Sequence, residues 1–145
     1  MAASAIGRAL TSSPALIAFC ITAGLVDFFS FTGGLTARII ADYKQGHNLW
    51  LQYLSITARL SGQIVPIVGI GDLIILGSVY FALSQLEYNG WLSFLFPLGG
   101  LLIALGVGLL KGGVYAIPFI ACATILYIGK ARARASKQSD HATAI

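Results

Sequence analysis

Two aspartates lie inside membrane-length apolar stretches of this chain. Asp27 falls within the stretch 16–35, and Asp72 follows the run Val68-Gly69-Ile70-Gly71. An acidic side chain is costly in the lipid interior, so each of these residues is a candidate for a functional site. Two carboxylates within hydrogen-bonding distance share one proton, so that one can accept a proton from water while the other donates to a carbonyl group. The pair therefore has the chemistry of an aspartyl dyad.

The charges that flank the two stretches place both aspartates at a similar depth. Asp27 precedes Arg38 by 11 residues, and Asp72 follows Arg59 by 13 residues. At about 1.5 Å of rise per helical residue, the depths are roughly 16 and 20 Å from the same side of the bilayer. We therefore expect two successive, antiparallel helices to carry carboxylates at nearly one level.

The composition is that of a membrane protein. Hydrophobic residues make up 57% of the chain, charged residues make up 10%, and the mean hydropathy is +0.85, far from the usage of soluble domains. A membrane span needs roughly 20 apolar residues, and the sequence has four such stretches, at about 14–37, 62–86, 91–110 and 113–128. We predict an all-α fold: a polytopic bundle of four transmembrane helices, forming one unit over residues 1–129, with a basic flexible tail at 130–145.

Local signals refine the ends of these stretches. Pro14 suits the first turn of a helix, with Ser12 or Ser13 as its cap. Pro66 weakens the second helix just before Asp72. The segment 48–54 mixes aromatic, apolar and polar residues, and it could be an interfacial helix or an extension of the second span.

The distribution of cations indicates the orientation in the membrane. With four spans, both termini share one side, which carries five of the nine Lys and Arg residues. Positively charged flanks stay in the cytoplasm, and four cations directly follow the last span: Lys130, Arg132, Arg134 and Lys137. We expect an integral, multi-pass protein with a cytoplasmic C-terminus. The net charge of +4 favours anionic lipid headgroups over nucleic acid as partners.

The remaining reactive residues do not form a recognisable site. Cys20 and Cys122 lie within spans and lack the CxxC spacing, so they are interpreted as small packing residues. His47 and His141 lie far apart in the sequence. We therefore predict no metal site and no cofactor.

Three motifs occur in the order found in a family of membrane proteases. They are Leu25-Val26-Asp27-Phe28, Gly69-Ile70-Gly71-Asp72 and Ala116-Ile117-Pro118-Phe119. The chain resembles the presenilin and signal peptide peptidase group of intramembrane aspartyl proteases, whose motifs are Tyr-Asp, Gly-x-Gly-Asp and Pro-Ala-Leu. The resemblance covers residues 14–129 and would correspond to the C-terminal, catalytic helices of that family. It implies that Asp27 and Asp72 are the catalytic pair and that five residues shape the active site and the substrate edge: Gly69, Gly71, Ala116, Ile117 and Pro118.

The chain also departs from the pattern of that family. Val26 stands where the family has Tyr, Tyr115 stands where the first Pro would be, and Ile117 replaces Leu. The helices that precede the catalytic ones in family members are absent from this sequence, so a second copy or a partner subunit would supply the missing scaffold. Prepilin peptidases also carry Gly-x-Gly-Asp, but they have Lys at the position of Ile74, which favours the presenilin-like interpretation.

The leading hypothesis is an endopeptidase that acts on single-span transmembrane peptides. The same carboxylates could instead serve a small proton-coupled carrier, or the chain could be a non-catalytic helical subunit of a membrane complex. A substrate helix must unwind before water can attack its amides, and irregular backbone needs protein or water around it. A protease therefore requires a water-accessible cavity that reaches Asp27 and Asp72 from the side of residues 38–59.

Overall fold

The protein is mostly helical. The computed structural model describes residues 2–34, 38, 41–42, 45, 55–60, 63–111 and 116–143. Over these residues the helices are α1 (Ala2–Ala9), α2 (Ser13–Gly33), α3 (Ile70–Gln85), α4 (Gly90–Lys111) and α5 (Ile117–Thr143), and the strands are β1 (Ser55–Leu60) and β2 (Gln63–Gly69). The predicted helical fold class is confirmed. The two-stranded sheet was not predicted.

Two of the described helices are long and apolar enough to cross a membrane. The qualifying segments are Ser13–Ser30 in α2 and Gly90–Leu110 in α4, whereas α3 is apolar but has 16 residues. Helix α2 begins as predicted, because the Ser12 hydroxyl accepts the backbone N–H of Ala15 at 3.4 Å and Pro14 lies in the first turn. Two spans are thus supported by length and composition, and the four-span bundle stays a prediction.

The second predicted span begins with a strand and continues as a helix. Strands β1 and β2 pair in antiparallel fashion, with Thr57 opposite Pro66 and Ile56 opposite Val68, so β2 has one extra residue at this point. Pro66 lies next to this bulge, where its missing N–H does not interrupt a regular ladder. The helix that we predicted over 62–86 therefore starts later, at Ile70. Both strands contain β-branched residues, which favour extended backbone.

The end of the chain also differs from the prediction. Helix α5 continues to Thr143 through the residues that we predicted as a flexible tail, because alternating Ala with Lys and Arg favours helix. The fourth predicted stretch started at 113, whereas α5 starts at Ile117 and residues 112–115 lie outside the described part of the chain. The candidate interfacial segment 48–54 also lies outside the described residues.

Helix α5 is the element on which most of the bundle packs. Both α2 and α4 lie along it, α3 contacts α4 and α5, and α1 packs on α3. One buried cluster joins α2, α3 and α5 through Leu16, Cys20, Val79, Ala82, Leu83, Ala121, Tyr127 and Ile128. A second cluster joins β2, α3, α4 and α5 through Val68, Leu76, Leu101 and Ile120.

Two glycines permit the closest approaches between helices. A Cβ atom added at Gly100 in α4 would lie 2.5 Å from the backbone oxygen of Phe119 in α5. A Cβ atom added at Gly7 in α1 would lie 2.6 Å from the Cβ atom of Phe81 in α3. Small residues let helix backbones pack this closely. The position of the first turn of α5 is thus set by its contact with Gly100.

Candidate active site

Asp72 lies in the first turn of α3 and is oriented by the strand that precedes it. Its Oδ2 atom accepts the backbone N–H of Gly69, the N-cap residue, at 3.0 Å. A carboxylate at this position satisfies one of the unpaired N–H groups of the helix end and is favoured by the helix dipole. The junction of β2 and α3 therefore holds the Asp72 carboxylate in a defined orientation.

Glycines leave the backbone next to Asp72 accessible. A Cβ atom at Gly69 would lie 3.4 Å from Asp72 Oδ2, whereas a Cβ atom at Gly71 would have no described atom of another element within 4 Å. Gly71 is also exposed. The motif thus combines one glycine packed against the carboxylate with one that leaves room for another chain to approach.

Asp27 lies in α2 and faces the N-terminal end of α5. One turn earlier, a Cβ atom at Gly24 would lie 3.6 Å from the Cα atom of Pro118, so α2 and α5 are in van der Waals contact there. The backbone N–H of Ile117 lies within hydrogen-bonding reach of the Asp27 carboxylate. The free N–H groups of a helix N-terminus form a site for an anion. The first turn of α5 therefore provides a partner for Asp27 inside the bundle.

One oxygen of Asp27 has no partner within the described structure. Asp27 Oδ2 is buried, and no described group forms a hydrogen bond with it. Leaving a buried polar oxygen unpaired costs about 1–3 kcal/mol, more for a charged group. Such an atom therefore indicates a place where water or a ligand is expected.

The two aspartates lie near the same end of the bundle. Gly24, one turn before Asp27, contacts Pro118 in the first turn of α5, and Asp72 lies in the first turn of α3. Ala116, just before α5, packs against the cluster that contains Val68 and Leu76, so the third motif reaches the β2–α3 junction as well. All three sequence motifs thus converge at the end of the bundle where α3 and α5 begin.

An apolar groove runs along α2 and α5 beside this site. It has a volume of about 290 Å³ and is lined on one side by Gly24 and Phe28 and on the other by Pro118 and Cys122. Our sequence reasoning identified Pro118 but missed Gly24, although a small residue one turn from Asp27 is a signal for close helix packing. The water-accessible cavity predicted from the side of residues 38–59 stays a prediction, since much of that segment is outside the described residues.

Within the described residues, no group of three or more His, Cys, Asp or Glu side chains could hold a metal ion. Comparisons of the chain with protein-family models, with curated proteins and with solved structures find no match. The likeness to intramembrane aspartyl proteases therefore rests on the three motifs in the sequence.

Proposed function

We propose that this chain is an intramembrane aspartyl endopeptidase, a multi-pass protein with a cytoplasmic C-terminus that hydrolyses peptide bonds of single-span transmembrane helices. The observation that supports this proposal is the convergence of the three motifs at the end of the bundle where α3 and α5 begin, with a buried oxygen of Asp27 that has no partner among the described residues. A pair of carboxylates in a packed apolar bundle destabilises the fold, so its presence indicates a functional role.

In the proposed reaction the two carboxyl groups share one proton and divide two tasks. The ionised group takes a proton from a water molecule, whose oxygen then bonds to the substrate carbonyl carbon. The protonated group gives its proton to the carbonyl oxygen, which yields a tetrahedral diol. The first carboxyl group then gives the proton that it took from water to the amide nitrogen, while the second takes a proton from one diol hydroxyl. The carbon–nitrogen bond breaks, a carboxylic acid and an amine are released, and the pair returns to its starting protonation. The unpartnered Oδ2 of Asp27 is a suitable position for the attacking water.

The strand before Asp72 supports a way of presenting the substrate. Strand β2 ends at Gly69, three residues before Asp72. One edge of β2 pairs with β1, and we propose the opposite edge as the place for the substrate. An unpaired strand edge in lipid is unfavourable, since its backbone groups have no water to bind. An unwound substrate segment that pairs with β2 satisfies both backbones and places its peptide bonds beside the dyad.

A cleavage assay in proteoliposomes tests the proposal. The chain is reconstituted with a single-span reporter peptide, and Asp27→Asn and Asp72→Asn are compared with the matched control Glu87→Gln, at the far end of α3. Asn at 72 can still accept the Gly69 N–H, so the fold is retained while the acid–base chemistry is lost. We expect both Asn variants to lose cleavage and labelling by an aspartyl-protease transition-state analogue, with the control unchanged.

The same variants separate the alternatives. Cleavage by either Asn variant at the rate of the unsubstituted chain would refute the protease proposal. Loss of proton-linked uptake in a chain that never cleaves the reporter would assign the carboxylates to a carrier. Loss of assembly with a partner, without any cleavage activity to begin with, would assign the chain to a non-catalytic subunit.

A further inference from the structure

A second cavity lies at the opposite end of the bundle from the aspartates. It has a volume of about 520 Å³ and lies between the α3–α4 connection and the part of α5 around Lys130. Asp72 lies in the first turn of α3, whereas this cavity lies past the last turn of the same helix. It is therefore separate from the proposed catalytic site.

The floor of this cavity is a fixed group of aromatic rings. Phe96 and Tyr127 stack with ring centroids 4.9 Å apart, and the Tyr88 ring lies 5.7 Å from that of Tyr127. The Tyr127 hydroxyl donates to the backbone oxygen of Asn89 at 3.4 Å, and the Tyr88 and Ser13 hydroxyls are 3.1 Å apart. Tyr127 is only 5% exposed. The floor is thus built by α4, α5 and the connection before α4, and Ser13 of α2 supports it through Tyr88.

The rim of the cavity is positively charged. Lys130, Arg132 and Arg134 line it, and Glu87 is the one acidic side chain among the described lining residues. Glu87 has φ 58°, a backbone conformation that glycine adopts more easily. It is the residue after the C-cap of α3, where the Tyr88 N–H donates to the Leu83 carbonyl and the Glu87 N–H to the Ser84 carbonyl, as in a Schellman motif. Three cations facing one carboxylate leave a net positive site.

The position of this cavity along the helices matches a membrane surface. The candidate span of α4 begins at Gly90, and Trp91 beside it is 72% exposed. Aromatic belts and flanking cations mark the headgroup level of a bilayer. Lys130 directly follows the apolar part of α5. The three cations are therefore expected at the depth of lipid phosphates.

We propose that this cavity binds the phosphate group of an anionic lipid. Lys130, Arg132 and Arg134 contact the phosphate oxygens, and the rings of Tyr88 and Phe96 contact the glycerol and the first acyl carbons. Arginine pairs with two phosphate oxygens at once, which gives geometric selectivity. A soluble phosphate ester offers the same oxygens without the acyl chains. This proposal does not depend on the activity of the aspartates.

Native mass spectrometry of the full chain, released from mixed vesicles of phosphatidylglycerol and phosphatidylcholine, tests the proposal. We expect the chain to retain phosphatidylglycerol in preference to phosphatidylcholine. In Arg132→Ala we expect retention of phosphatidylglycerol to fall about fivefold, which is the contribution of one cation near a lipid surface. The variant R132A/A133R restores the net charge, but Ala133 does not line the cavity, so we expect the loss to persist. Arg8→Gln removes an exposed cation elsewhere and is expected to leave retention unchanged.

The outcomes distinguish a site from a surface effect. Full retention by R132A/A133R, or an equal loss in Arg8→Gln, would show that only net charge matters and would overturn the proposal. Lys130→Ala provides an independent variant if Arg132→Ala unfolds in a thermal melt. In a second arm, inorganic phosphate is added to the chain in the mixed vesicles and, separately, to the chain in vesicles of phosphatidylcholine alone. Saturable binding of phosphate in phosphatidylcholine, together with loss of retained phosphatidylglycerol from the mixed vesicles at the same phosphate concentration, would assign the site to a soluble phosphate and refute the lipid assignment.

Discussion

The contact between α4 and α5 yields a sharp prediction at Gly100. A Cβ atom there would lie 2.5 Å from the Phe119 backbone oxygen and 2.9 Å from the Ile120 Cα atom, whereas ordinary contacts begin near 3.4 Å. Both partners are backbone atoms, so relief requires the first turn of α5 to move by about 1 Å. Such overpacking costs typically 1–3 kcal/mol. We expect Gly100→Ala to be less stable by this amount.

The neighbouring Gly99 provides a matched control. A Cβ atom at Gly99 has no described atom of another element within 4 Å, and both substitutions gain the same helix propensity, up to about 1 kcal/mol. The difference between Gly99→Ala and Gly100→Ala in denaturant unfolding from detergent micelles therefore isolates the steric clash.

The displaced turn also carries Ile117 and Pro118 beside Asp27. A misplacement of about 1 Å can reduce a rate by about 100-fold, and we expect that loss in reporter cleavage for Gly100→Ala.

Equal unfolding midpoints for the two alanine variants would refute the close α4–α5 contact. A stability loss in Gly100→Ala without loss of cleavage would show that the first turn of α5 does not position the dyad. The two readouts therefore test the packing and its catalytic consequence separately.

Three further predictions concern helix ends and close contacts. Asp72→Ala should destabilise the chain by about 1 kcal/mol relative to Asp72→Asn in thermal melts, because only Asn can still accept the Gly69 N–H; equal melting would refute the capping role. Glu87→Gly should raise stability relative to Glu87→Ala by about 1 kcal/mol, because φ is 58° there, and a lower midpoint would contradict this. Gly7→Ala should detach α1 from α3, since its Cβ would lie 2.8 Å from the Ser78 oxygen; unchanged proteolysis of the N-terminus would contradict this.

Helices α2 and α4 could be predicted closely because length and composition specify them. The stretch 91–110 matches α4 (Gly90–Lys111), and Ser12 caps α2 as its sequence indicates. The hairpin was missed because a short apolar run does not distinguish a buried strand from a helix. The available signal was two runs rich in β-branched residues separated by Ser61-Gly62, which is the spacing of a two-residue hairpin connection.

The residues of the candidate site come from the sequence, but their assembly could not be predicted from it. The depth of Asp72 was worked out for a continuous helix from Arg59, whereas Arg59 lies in β1 and the helix that carries Asp72 starts at Ile70. We expected two successive helices to bring them together directly. Instead, α2 packs along α5, with Gly24 against Pro118. That contact depends on tertiary packing between residues far apart in sequence, which no local pattern specifies.

The central place of α5 has a consequence for biosynthesis. Helices α2 and α4 both pack along α5, and α5 follows both of them in the chain, so it leaves the ribosome after them. Until α5 is made, α2 lacks the contact between Gly24 and Pro118, and α4 lacks the surface that covers Gly100. A nascent chain without α5 therefore carries both carboxylates in an incomplete bundle. Under the proposed function such a chain would be inactive, which would protect neighbouring nascent proteins from cleavage.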